Sequence, residues 1–360
     1  MKTLKFISID PKQKEFAESV KKNVANYFQE KKISSKGNLK MYFKAFVMLT
    51  IYLAPFVLIL TYSLSTSASI LLVIIMGIGE AGIGMSVMHD AAHGSFSKKK
   101  WVNSLFASTM FLLGSNTLNW KVQHNMLHHT FTNIYGYDQD ISTKAVIRLS
   151  EHAQLKKYNR FQYIYAFPLY GLMTLLKLFT ETNQLIQFNK EGFIKDQNLN
   201  PQIEIFKLLL IKMSYFSIFI GLPILFTDYF YWQIAIGFCI LHITAGAIMS
   251  IVFQMAHVVE GAEQPLPDEN GVISNEWIVH QLKTTSDFAR NNVFLNWYVG
   301  GLNFQIEHHL FPTTCHIHYK EIAPIVEKTA KEYGMTYNLK PSFKAALLSH
   351  VRKLKKLGTI

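Results

Sequence analysis

A chain of 360 residues that is 49% hydrophobic and 14% aromatic, yet carries a formal charge of +12, has the composition of a membrane protein with a basic face rather than of a soluble enzyme. That charge is read as a membrane-facing property, and no nucleic-acid partner is expected. Cys239 falls in an apolar run and Cys315 in a polar segment, so neither a disulfide nor a thiolate metal site is expected.

In chain order, residues 1–44 form a basic segment with eleven lysines, expected to lie against anionic lipid. Residues 45–88 hold no lysine or arginine and are long enough for two bilayer crossings, predicted at about 45–62 and 70–88. The link Ser63–Ser69 makes a tight hairpin between them. Glycines 77, 79, 82 and 84 mark a helix-packing face in the second crossing. Leu105 to Gly114 is too short to span, and Phe161 to Phe179, broken by Pro168 and holding Lys177, reads as an interfacial helix. Residues 213–256 again lack basic residues, and two further spans are predicted at about 208–226 and 229–253. Tyr229, Tyr231 and Trp232 form an aromatic belt where those two meet. Lys207 and Lys212 are expected to snorkel at the start of span three. The remaining lysines and arginines fall in the N-terminal segment, the central segment and the C-terminal third, which the positive-inside rule makes cytoplasmic. The expected fold is therefore an all-α, multi-pass integral membrane protein. Four transmembrane helices carry a cytoplasmic helical cap, both termini are cytoplasmic, and Ser65 lies on the other side. The body covers 45–325 and a basic cytoplasmic tail 326–360.

Three histidine clusters are set along this frame: His89-Asp-Ala-Ala-His93, His124-Asn-Met-Leu-His128-His129 and Gln305-Ile-Glu-His308-His309. Neutral imidazole binds iron, copper, zinc and nickel, and residues four apart on a helix share one face. A single zinc takes three or four protein ligands, so seven convergent imidazoles point to a dinuclear centre. His257, at the inner end of span four, is an eighth candidate. All lie on the predicted cytoplasmic side, where two helix ends and two cytoplasmic segments enclose a metal pair within reach of a lipid chain. The other six histidines, His152, His242, His280, His316, His318 and His350, read as structural. His242 is expected to be a neutral ring bonded to a neighbouring helix, and Glu80 in span two has a structural or tunnel-lining role.

The boxes, their order relative to the spans and their flanking words His-Asp-Ala-Ala-His-Gly-Ser-Phe, Gln-His-Asn-Met-Leu-His-His-Thr-Phe-Thr-Asn and Gly-Leu-Asn-Phe-Gln-Ile-Glu-His-His-Leu-Phe-Pro resemble the membrane fatty acid desaturase family over roughly residues 40–325. Glutamine at the head of the third box resembles the front-end, linoleoyl-CoA desaturase-like branch, which inserts a double bond between an existing one and the carboxyl end.

An unactivated methylene is too weak an acid for any side-chain base, so hydrogen must leave as an atom. The resemblance implies two irons that reduce dioxygen with two external electrons. His89, His93, His124, His128, His129, His257, His308 and His309 would then be ligands rather than acid–base groups. Gln305 binds directly, holds a water or fills space. Asp90, Asp138 and Asp140 are candidates to orient the rings. The substrate would be an acyl-CoA or acyl-lipid.

The His-Pro-Gly-Gly word of a fused cytochrome is absent, so a separate donor is expected, a ferredoxin or a b-type cytochrome with its reductase, steered by the basic face. A bacterial inner membrane fits this reading. A diiron hydroxylase or alkane monooxygenase stays open as an alternative, distinguished by oxygen in the product. A zinc hydrolase would leave most imidazoles unused, and a lipid receptor would need no metal.

Overall fold

The computed structural model describes residues 4–142 and 146–360. It divides into two compact units that interleave along the chain. One is Asn38–Val122 with Phe167–Ile251; the other is the chain up to Gly37 with Gln123–Ala166 and Val252–Ile360.

Among the described residues, four helices are long and apolar enough to cross a membrane: Leu39–Thr61, Thr66–Ala92, Pro201–Phe226 and Tyr231–His257. Each overlaps a predicted span, but most ends lie a turn or two further out. Span one starts at Leu39, where the Asn38 side chain accepts from the Lys40 backbone N–H. Lys40 and Lys44, where the predicted span stopped, continue the helix; Lys44 is almost fully buried. Span three starts at Pro201 behind an Asn200 cap, and its first turns carry the Lys207–Glu204 pair at 2.7 Å. The lysines of span three do not both snorkel. Lys212 is buried because a carboxylate awaits it: its Nζ lies 3.0 Å from Glu181 Oε2 and donates to the Gly114 carbonyl at 3.2 Å. The Ser115 hydroxyl donates to the same carboxylate.

The glycine face packs as its spacing requires. A Cβ on Gly77 would meet Thr244 Cβ at 2.6 Å and the Leu241 carbonyl at 2.7 Å, and one on Gly79 would meet the Tyr52 backbone at 2.7 Å. Leu105 to Gly114 closes a short helix, Lys100–Ala107, through a 3₁₀ turn, Ser108–Leu113. Phe161 to Phe179 falls in two helices, Lys157–Gly171 and Met173–Lys190, bent by 75° at Leu172. If that pair were a broken span, the apolar crossings would number five.

The second unit is built around an amphipathic helix, Pro11–Glu30. Its Phe16, Ala17, Val20 and Val24 pack with Ile278, Val279 and Leu282 and with Ile322, Ala323 and Val326. The third-box helix, Gln305–Leu310, sits in this core through Ile306 and Leu310. Two short parallel strand pairs tie distant segments together, Lys5–Phe6 with Val272–Ile273 and Asp287–Phe288 with Leu339–Lys340.

Candidate metal centre

The first box belongs to the membrane-spanning unit. Span two turns π-helical over Ile83–Met88 immediately before His89, a local widening often found at functional positions. The His89 and His93 ring centroids lie 4.7 Å apart, and both rings stand edge-on to Trp120 at 5.6 and 5.5 Å. Asp90 Oδ1 is 3.7 Å from His89 Nδ1.

The other unit gathers the remaining six candidate histidines and Gln305, all partly or fully buried. The second box also rides on a π-helical segment, Lys121–His128. Potential ligand atoms of His128, His257 and His309 lie within 4.8 Å of one another, as do those of His129, His308 and His309, and those of His124, His128 and Asp140. The two triads of histidines share His309. The Nε2 atoms of His124 and His129 approach to 3.1 Å.

The partners of these rings set which nitrogen is left for a metal. His128 Nδ1 lies 3.1 Å from Asp138 Oδ2, an N–H donor to a carboxylate, and its buried Nε2 has no hydrogen-bond partner. That is the carboxylate–histidine arrangement that fixes a metal-binding tautomer. Burial disfavours the charged ring of His128, but Asp138 and then Asp140 outweigh it, so its pKa is raised. Burial likewise opposes the Asp138 carboxylate. The charge and hydrogen bond of His128, with the backbone N–H groups of Asn133 and Asp140, still hold it below its ordinary value. Asp140 Oδ2 is 3.5 Å from His128 Nδ1, and Asp140 Oδ1 accepts from Gln123 at 2.6 Å.

His309 Nδ1 meets Gln281 Oε1 at 2.8 Å, a contact that fixes the orientation of the ring. His308 Nδ1 lies 3.3 Å from the Tyr319 hydroxyl. Both ring nitrogens of His257 and Oε1 of Gln305 are buried without a hydrogen bond of good geometry. Buried polar atoms are normally satisfied, so such a set calls for a ligand. Borderline nitrogen donors with an amide oxygen and nearby carboxylates suit a transition metal, and the residues fit iron.

Local structure aims these groups. Asn133, in the left-handed region at φ +59°, follows the second box. Its amide donates to the carbonyls of His257, Glu263 and Thr284, while its N–H donates to Asp138. Gly301, at φ +68°, turns the chain into the third box; a Cβ there would meet His316 Cβ at 2.8 Å. Asp287 Oδ1 accepts from the Ile306 N–H at the start of that helix. Tyr337 hydroxyl lies 2.6 Å from Asp287 and 2.9 Å from Glu307. Burial, reinforced by Asp287, pushes the Glu307 carboxyl well up.

Gln281, Thr132, Asn133, Tyr319 and Trp120 escaped the sequence reading. Thr132 and Asn133 follow the second box directly, and this adjacency was the available signal. Four of the structural histidines bond backbone carbonyls: His152 to Gln264, His280 to Thr132, His318 to Lys36 and His350 to Val258. His242 bonds the Tyr215 hydroxyl of span three at 3.1 Å, as expected.

Four apolar spans among the described residues and a buried nest of imidazoles, groups that could hold a metal, define the class as a helical membrane protein with a candidate metal site. The family model described as fatty acid desaturase matches residues 65–341, and the chain belongs to that family. It is 34% identical over 343 residues to the sn-1 linoleoyl-lipid 6-desaturase of Arthrospira platensis, covering 95% of this chain and 92% of that protein. The sn-1 linoleoyl-lipid 6-desaturase of Synechocystis sp. is 32% identical, with 95% of each chain covered. The acyl-lipid (8-3)-desaturase of Physcomitrium patens is 33% identical, over 97% of this chain and 73% of that one. The chain is thus an oxidoreductase that desaturates fatty acyl chains, and its relatives bear out the front-end branch.

Proposed function

We propose that His89, His93, His124, His128, His129, His257, His308 and His309 hold two irons, with Gln305 as a direct ligand or through a water. Asp138 orients His128, Asp140 supports it, and Asp90 does the same for His89. The irons, when bound, supply the dioxygen chemistry that removes two hydrogen atoms from adjacent carbons. The protein residues hold the metals, fix ring tautomers and exclude water; none of them acts as the base. The supporting observation is the His128 ring, whose Nδ1–H is taken by Asp138 while Nε2 is buried with no other partner.

The substrate is a polyunsaturated C18 chain esterified in a membrane lipid, and the new bond forms at C6, on the carboxyl side of the existing ones. The names of the Arthrospira and Synechocystis relatives support this choice over an acyl-CoA. The centre and both termini face the cytoplasm of a bacterial inner membrane. Electrons come from a separate acidic donor, a ferredoxin or a b-type cytochrome with its reductase, attracted by the net charge of +12.

Two measurements test the reading. Metal analysis of the purified chain is expected to return about two irons, the number this ligand set supports. One zinc and no iron would reject it. Linoleate and stearate fed separately to an expressing host should give a new carboxyl-side bond in linoleate alone, recovered in membrane lipid. Oxygen retained in the product would move the protein to the hydroxylases.

A further inference from the structure

Halfway along the bundle lies a polar layer that the metal centre does not use. Glu80 of span two is fully buried, and neither carboxylate oxygen has a hydrogen-bond partner. His242 of span four stands beside it, Nδ1 3.6 Å from Glu80 Oε1. That ring also contacts Thr174 Oγ1 at 3.2 Å and the Tyr215 hydroxyl at 3.1 Å. An ionisable residue at such depth is costly in a membrane and is a functional hypothesis by default.

Just past this layer, on the side away from His89, spans two and four close on each other at Gly77 and Thr244. On the far side of that contact is an apolar pocket of about 300 Å³, lined by Val73, Met76, Phe219, Phe238 and Leu241 among others. Between Glu80 and the first box, by contrast, Gly84 faces the flexible ends of Met249 and Leu113. Methionine and leucine tips yield to a guest more readily than a backbone contact does.

The spacing gives the layer a meaning. Glu80 precedes His89 by nine residues on one continuous helix, which is roughly 13 Å along its axis. If oxidation occurs at C6 at the His89 end, as proposed above, a C18 chain extends about twelve carbons further; with C–C bonds near 1.5 Å and about 1.3 Å advance per carbon, that is about 15 Å, less where cis bonds bend it. A chain laid alongside span two would therefore end near Glu80 and short of the pocket, whose nearest span-two residue, Met76, is roughly 20 Å from His89 along the helix. Hydrocarbon gains nothing from an unsolvated carboxyl group, and a longer chain would have to desolvate it further or part Gly77 from Thr244.

We propose that Glu80, with His242 and Tyr215, is the floor of the acyl-chain site and sets its length limit near C18. The floor is a specificity determinant rather than part of the chemistry. This inference rests on the desaturase reading of the His89 end, and its test separates the two.

The wild-type protein and the variants Glu80→Ala, Glu80→Gln and Tyr215→Phe are expressed in a host supplied with C18 and C20 dienoic acids. Wild type is expected to favour C18 by tenfold or more. Glu80→Ala should narrow that ratio at least fivefold, and Glu80→Gln, with the same size and polarity, should keep it. Tyr215→Phe, which loses one hydroxyl, should fall between. An unchanged ratio in Glu80→Ala that still converts C18 would overturn the floor. A second measurement needs no turnover: a C18 chain with a diazirine near its methyl end, photolysed in membranes holding the full chain, should label Glu80 or His242. Labelling at Val73 or Ile236 instead would place the chain end in the far cavity and reject the inference. Absence of product from every chain would count against the proposed reaction alone, since the photolabel still reports the floor.

Discussion

Buried ionisable groups in the two units are handled in opposite ways. Around the histidine nest, two rings commit Nδ1 to a neighbouring side chain, His128 to Asp138 and His309 to Gln281, and the Nε2 of His128 is buried without a hydrogen-bond partner. In the spanning unit, Lys212 and Glu181 pair with each other and with the Gly114 carbonyl and Ser115 hydroxyl, while Glu80 keeps two unbonded oxygens. A group that is half satisfied in a systematic direction points to a ligand. A group that is fully satisfied points to architecture. Glu80 belongs to neither pattern: it is buried, unbonded and far along the helix from the first box.

Several substitutions would break or sharpen that contrast. The largest effect is expected from His309→Ala, which removes the ring common to both histidine triads. Product should fall below detection and bound iron should drop, while the amount of protein in the membrane stays near wild type. Wild-type product would remove His309 from the centre. Asp138→Asn keeps His128 but replaces the charged acceptor, so a 10–100-fold loss of metal affinity or activity is expected, the range for such supporting partners. An effect under twofold would reduce Asp138 to a turn residue.

The architectural pair should behave differently. Glu181→Ala strands the buried Lys212 ammonium and is expected to cost about 3–5 kcal/mol of stability, as one-sided removal of buried pairs does. Glu80→Gln should change stability by less than about 1 kcal/mol, because no hydrogen bond is lost. Thermal unfolding of the two variants side by side in the same detergent checks both statements, and equal losses would erase the distinction.

Acid provides a further, smaller probe. Burial pushes His280 and His350 down to about 4, although each ring also bonds a backbone carbonyl. Their unfolded values are near 6.5, so between those limits the unfolded chain binds protons that the folded chain does not. The stability they contribute is fully present above pH 6.5 and is lost as pH falls toward 4, at most about 3 kcal/mol each. A melting temperature that falls over this window, less steeply in His350→Gln, is the expected result. A flat profile would contradict it.

Much of this was legible in the sequence, for identifiable reasons. Paired histidines four apart announce themselves because their geometry is local, and apolar runs announce spans because the bilayer imposes a length. Charge marks the span ends too far in, because Lys40 and Lys44 continue the helix that starts at Leu39. Lys212 was read as snorkelling because its partner Glu181 lies thirty-one residues away. Gln281 carries no local signal for the same reason, and Asn133 only its place after the second box. Their partners, His309 and the carbonyls of His257 and Thr284, are distant in the chain, and an isolated amide carries no pattern.

The interleaving of the histidine-bearing unit has a consequence for biosynthesis. The helix Pro11–Glu30 is made early, yet its apolar stripe of Phe16, Val20 and Val24 packs on Ile278, Leu282, Ile322 and Val326, which come from the last third of the chain. At a synthesis rate of roughly 5–20 residues per second, that stripe waits about 15–60 seconds for its partners while all four spans emerge. During this interval the nascent helix is an exposed amphipath rich in lysine, suited to rest on the lipid surface. The core that carries the third box is thus completed late in translation, when the first helix meets segments from the last third of the chain.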